Sequence, residues 1–103
     1  MNITVLGAGA WGTALAIHFA KQHHQVRLWA RDTEHVLQMK QSRSNERYLA
    51  GFVFPPQLTL ETDLQAAISA TELVLIATPV AGLRPTLEKI NPHIGAGIPI
   101  MTA

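Results

Sequence analysis

The 103-residue chain contains no cysteine. That excludes disulfides and thiolate metal sites and is compatible with a reducing, cytoplasmic setting. Charge is also sparse: 15% of residues are charged, the net charge is +1, and no run of basic residues occurs. Neither nucleic acid nor an anionic membrane is therefore an expected partner. No apolar run reaches the roughly 18–20 residues needed to span a bilayer. Strand-like sequence begins at Asn2, so no signal peptide is expected. His18, His23, His24, His35 and His93 do not pair with carboxylates at metal-ligand spacing on one face, so no metal site is expected. Ser42, Ser44 and Ser69 lack the strand–turn–helix setting of a nucleophile elbow. Hydrophobic residues make up 48% of the chain, enough for a folded chain with a dry core, and the length suits one domain.

The informative stretch runs from Asn2 to Ala20. A short β-branched run, Asn-Ile-Thr-Val-Leu, meets Gly7-Ala8-Gly9-Ala10-Trp11-Gly12, and this corner opens an alanine-rich helix. A glycine motif placed after a strand and before a helix has the order that a dinucleotide-binding βαβ unit requires. Gly7 allows a tight exit from the strand, Gly9 allows backbone to approach a pyrophosphate, and Gly12 allows the helix to lie on the strand. The amides of Ala10 to Gly12 have no partner within the helix and sit at its positive end, an anion site by construction.

The first strand is expected over Ile3–Leu6 and the first helix over about Ala10–Gln22, apolar nearly all round. The second strand, Val26–Trp29, leads to Ala30-Arg31-Asp32, where such folds read the adenosine ribose. Arg31 is placed to take a 2′-phosphate or to be a solvated arginine. Asp32 is placed to touch the ribose, but its first duty is read as N-capping a helix over about Thr33–Gln41. Ser42 to Gln57 reads as loop, and at about 15 residues it is long enough to suggest a function. Within it, Tyr48 is read as anchoring the loop to the core or closing over the adenine side. A third strand is expected at Leu58–Leu60 and a helix over Leu64–Ser69 opened by Thr62-Asp63. A central fourth strand is expected at Leu73–Ala77, ended by Thr78-Pro79. A helix over about Val80–Ile90 and a fifth strand at Ile98–Thr102 complete the chain. Strands alternating with helices give an α/β, doubly wound parallel sheet, with expected order 3-2-1-4-5. The crevice would lie between Gly7–Gly12 and Thr78-Pro79.

Taken together, Gly-Ala-Gly-x-Trp-Gly-Thr-Ala-Leu-Ala, Val-Arg-Leu-Trp-x-Arg, Asn-x-x-Tyr-Leu-x-Gly, Thr-Asp-Leu and Ala-x-Pro-Val-x-x-Leu-Arg resemble the N-terminal domain of bacterial NAD(P)-dependent glycerol-3-phosphate dehydrogenases over the whole chain. The resemblance implies a Rossmann-type NAD(P)-binding domain over residues 1–103, with a helical substrate domain outside them. It implies hydride transfer between NADPH or NADH and dihydroxyacetone phosphate, giving sn-glycerol 3-phosphate for phospholipid synthesis, with a homodimer as the expected assembly. It places Ala10 and Trp11 along the pyrophosphate and Arg31, Asp32 and Tyr48 along the adenosine side; with Gly7, Gly9 and Gly12 of the corner and Thr78 and Pro79 of the crevice, these are the expected cofactor ligands. Catalytic residues are not expected in this chain, so it is expected to bind cofactor weakly and not to turn over. The sequence departs from the family at Ala10, where serine is usual, which removes one contact on the order of 1 kcal/mol. His23 stands for a helix-ending glycine and Ala50 for a common proline. A non-catalytic NAD(P)-sensing module and a ketopantoate-reductase-like enzyme are the competing readings.

Overall fold

The computed structural model describes residues 1–77 and 97–102. Seven strands and three helices occur among them: β1 (Asn2–Leu6), α1 (Ala10–Lys21), β2 (Gln25–Trp29), α2 (Thr33–Ser42), β3 (Ser44–Asn45), β4 (Leu49–Val53), β5 (Leu58–Glu61), α3 (Leu64–Ile68), β6 (Leu73–Ile76) and β7 (Ile100–Thr102). The expected helix over Val80–Ile90 and the Thr78-Pro79 terminator lie outside the described residues.

Five strands form one sheet in the order β5-β2-β1-β6-β7, and each described pairing is parallel. β1 is its middle strand, flanked by β2 and β6, with Val5 opposite both Leu28 and Leu75. β6 is interior but not central, because β7 pairs along its other side. The expected order 3-2-1-4-5 is corrected to 5-2-1-6-7. Ser44–Asn45 and Leu49–Val53, read as loop, form a separate antiparallel two-stranded sheet that takes the third and fourth places along the chain. Their pairing carries a register shift, β3 is only two polar residues and β4 is Leu-Ala-Gly-Phe-Val, so no alternation of apolar and polar residues announces it.

The period of two along each strand divides the core. Ile3, Val5, Val26, Leu28, Leu58 and Leu60 face one side, where they pack with Ala16, Ile17 and Ala20 of α1 and Val36 and Met39 of α2. Leu6, Trp29, Val74 and Ile76 face the other, against Ala67 and Ile68 of α3. β1 is thus buried on both faces, as its unbroken apolar character implies. Polar groups on the α3 side are matched. The Thr4 hydroxyl donates to the Ala67 carbonyl at 2.6 Å, and Arg27 donates to the carbonyls of Ala66 and Ser69, where cations suit a helix end.

The end of α1 shows what His23 does. Its φ is 70°, its N–H donates to the Ala20 carbonyl, and the His24 N–H donates to that of Phe19. This is a Schellman cap with histidine at the left-handed position that glycine normally takes. A left-handed conformation costs an L-residue more than glycine, partly offset by the greater freedom of unfolded glycine. His23→Gly is therefore expected to stabilise the chain by about 0.5–1 kcal/mol. The measurement is a higher urea midpoint with an unchanged slope.

Candidate functional site

Above the C-terminal ends of β1 and β2 lies an open cleft of about 890 Å³. Gly7, Gly9, Ala10, Trp11, Arg31, Asp32 and Tyr48 all line it, so the structure brings together seven of the expected ligands. Gly12 does not line it and lies buried beneath. Thr78 and Pro79 lie outside the described residues, while Ala77, just before them, borders the cleft. A smaller cavity of about 360 Å³ sits around Asn2, Gln25 and Gln57, at the opposite ends of the strands, and its Arg27 is already committed to α3.

The three glycines have different structural reasons. Gly7 has φ 115°, and its N–H donates to the Trp29 carbonyl at 2.9 Å. It carries the chain out of β1 through a conformation that side chains disfavour. A Cβ on Gly12 would sit 2.0 Å from the Gly7 carbonyl oxygen and 3.0 Å from the Ala77 Cβ. A Cβ on Gly9 would meet nothing within 4 Å. Gly9 is the N-cap of α1, extended at φ −74° and ψ −172°, and no side chain caps the helix. The first amides of α1 are therefore left facing open space at the positive end of a 12-residue helix. Trp11, in the first turn, is 59% exposed at this rim.

At the other end of the cleft, β2 ends at Trp29 and Ala30 follows, both buried, and the Trp29 indole N–H donates to the Thr62 carbonyl at 3.0 Å. Asp32 does cap α2: one carboxylate oxygen accepts from the N–H groups of Glu34 and His35 at 3.0 and 3.3 Å. The other oxygen pairs with Arg47 at 3.2 Å. The Arg47 hydrogen bond, and then the His35 N–H, hold the Asp32 carboxyl below its ordinary range, and the same bond raises Arg47. Asp32 is thus ionised and already engaged. Arg31 is exposed on the same rim.

Sequence reading missed what holds the cleft together. Asn45 is fully buried, and its amide joins four segments. Its Nδ2 donates to the Ala8 carbonyl at 2.9 Å and to the Thr13 hydroxyl at 2.8 Å. Its Oδ1 accepts from the Tyr48 N–H at 3.3 Å and lies 2.8 Å from His35 Nε2. The amide can point only this way, because a carbonyl must accept and a backbone N–H must donate. His35 Nε2 therefore carries the proton toward Asn45. Tyr48 is corrected accordingly: its ring is half-exposed and stands edge-on to His35, and the loop's anchor is Asn45. The sequence signal available was a lone asparagine in a polar stretch, which reads as a turn. Arg47 was missed for the same reason.

No group of three or more histidines and carboxylates that could hold a metal occurs among the described residues. No helix among them is long and apolar enough to cross a membrane.

A parallel doubly wound sheet, with an uncapped helix N-terminus and a glycine-rich corner at the ends of its middle strands, defines a Rossmann-type dinucleotide-binding domain. Residues 2–103 match the family model described as the N-terminus of NAD-dependent glycerol-3-phosphate dehydrogenase, and the chain belongs to that family. The glycerol-3-phosphate dehydrogenase (NAD(P)+) of Neisseria gonorrhoeae is 46% identical over 103 residues, all of this chain and 31% of that protein. Its counterpart in Nitrosomonas eutropha is 53% identical over 90 residues, 87% of this chain and 27% of that protein. The crystal structure of glycerol-3-phosphate dehydrogenase from Coxiella burnetii superposes with a TM-score of 0.96 at 35% identity, covering 99% of this chain and 31% of that one. The chain thus spans about a third of the length of these relatives.

Proposed function

We propose that residues 1–103 form the NAD(P)H-binding domain of a cytoplasmic glycerol-3-phosphate dehydrogenase. The observation that carries this is the open, uncapped start of α1 above Gly9, within one cleft that also holds Trp11, Arg31 and Arg47. The residues fit the cofactor's parts. The amides at Ala10 and Trp11 would take the pyrophosphate, with Gly9 giving it room. Ala8, Gly9 and Ala10 supply only backbone there, so a serine-like hydroxyl contact is not made. Ala30, Arg31, Asp32 and Arg47 would face the adenosine ribose, with Tyr48 along that side.

The ribose end favours a 2′-phosphate. The strand tip is Ala30 rather than an acidic residue that would repel it. The nearby carboxylate, Asp32, is neutralised by Arg47 and by two backbone N–H groups. Arg31 stands exposed on the same rim. NADPH is therefore proposed to bind at least as well as NADH.

When bound, the cofactor supplies a hydride to the carbonyl carbon of dihydroxyacetone phosphate, and a proton on its oxygen completes sn-glycerol 3-phosphate. This chain's part is to hold and orient the nucleotide. The groups that bind the substrate and complete the catalytic site are proposed to lie in a helical domain outside these residues, in a protein that assembles as a homodimer.

The test is a titration of the purified chain with NADPH and with NADH, read by tryptophan fluorescence, since Trp11 and Trp29 both border the cleft. Saturable quenching by both is expected. Arg31→Ala is expected to weaken NADPH roughly tenfold relative to NADH, the worth of one charge-assisted hydrogen bond. A folded chain that binds neither nucleotide overturns the cofactor reading. An unchanged ratio in Arg31→Ala overturns the role of Arg31 alone.

A further inference from the structure

The corner between β1 and α1 must show amide hydrogens, not carbonyl oxygens, to an anion. Nothing in the glycines themselves guarantees that. The Ala8–Gly9 peptide can present either edge, because turning it over needs rotation only about the Ala8 ψ and the Gly9 φ, and Gly9 is permissive. In a trans peptide the C=O and the next N–H point in opposite directions. Whatever fixes the Ala8 carbonyl therefore fixes the Gly9 N–H.

The Ala8 carbonyl is fixed by Asn45, 37 residues away in sequence, through a 2.9 Å hydrogen bond within the core. Asn45 is itself immobile. Its second amide hydrogen goes to Thr13 on α1, and its oxygen holds Tyr48 on the hairpin and His35 on α2. A side chain with no exposed surface and four partners cannot follow a flipping peptide without leaving a buried donor or acceptor unsatisfied.

We infer that Asn45 is a positioning residue for the anion site. It holds the Ala8 carbonyl inward, so that the Gly9 N–H faces away from the core and joins the free amides of α1. This rests on the cofactor reading given above, and it adds a residue that touches no ligand.

The test separates the diphosphate from the rest of the nucleotide. Asn45→Leu keeps a side chain of similar size and removes both the donor and the acceptor. Affinities for ADP and for adenosine 2′-monophosphate are measured by calorimetry on the folded chain, with circular dichroism as the check on folding. ADP is expected to bind roughly tenfold more weakly in the variant, the worth of a charge-assisted hydrogen bond, while adenosine 2′-monophosphate changes by about twofold or less. Equal losses for the two ligands, or no loss for ADP, overturn the inference. A second measurement needs no variant. On titrating the wild-type chain with inorganic pyrophosphate, the Gly9 amide proton is expected to shift downfield in a nitrogen–proton correlation spectrum. If it stays still while the Ala10 and Trp11 amides move, the inference is overturned whether or not Asn45→Leu folds. Wild-type chain that binds neither ADP nor NADPH removes the cofactor reading itself, and the inference with it.

Discussion

Gly12→Ala is expected to destabilise the fold by about 3 kcal/mol or more, the upper end for forcing atoms into a packed site. The added methyl would stand 2.0 Å from the Gly7 carbonyl oxygen, and that oxygen cannot retreat. Gly7 is held by its N–H bond to the Trp29 carbonyl and by a positive φ that leaves no easy alternative. On the other side the methyl would press the Ala77 Cβ at 3.0 Å. Relief requires α1 to move off the sheet, which would uncover Ala16, Ile17 and Ala20 of the main core. For a domain of this size the loss corresponds to a fall in melting temperature of roughly 15 °C. Thermal unfolding followed by circular dichroism checks it. A variant melting within a few degrees of the wild type would show that the corner is softer than this geometry allows.

Gly9→Leu is expected to do the opposite, removing nucleotide binding and sparing the fold. Nothing lies within 4 Å of a Cβ at Gly9, and its φ of −74° suits any residue. The stability cost is that of a poorer N-cap, about 1 kcal/mol. The side chain would fill the space above the free amides of α1, where the pyrophosphate is proposed to sit. Losing two hydrogen bonds to a charged group, about 1.5 kcal/mol each, weakens NADPH on the order of 100-fold. Fluorescence titration reads the affinity, and the melting curve reads the fold. Retained binding would place the nucleotide elsewhere. The two glycines, three residues apart, thus separate a packing role from a ligand role.

How much of this was legible in the sequence depended on distance along the chain. The five parallel strands lie close to their expected spans because β1 and β6 are near-continuous apolar runs, β2 and β5 alternate apolar with polar residues, and turn residues bound them. The start of α2 was legible because an Asp immediately before a helical pattern satisfies orphan amides two and three residues on. His23 was legible as an unusual cap, since the helix had to end there and no glycine was present. The hairpin was not legible. Leu49–Val53 is mostly exposed, and its partner is two residues long. No alternation of apolar and polar residues marks such a pair.

The sequence by itself determined the class of the protein. A strand, a glycine corner and a helix in that order dictate the backbone of an anion site, and local rules of spacing and capping suffice to read them. Only the tertiary structure decided how that site is held. Asn45 meets Ala8 and Thr13 across 37 and 32 residues, and Arg47 meets Asp32 across 15. The physical reason is that a hydrogen bond between residues far apart in sequence leaves no periodic trace. An asparagine that pins a core carbonyl and one that merely turns a loop are the same letter until the chain is folded.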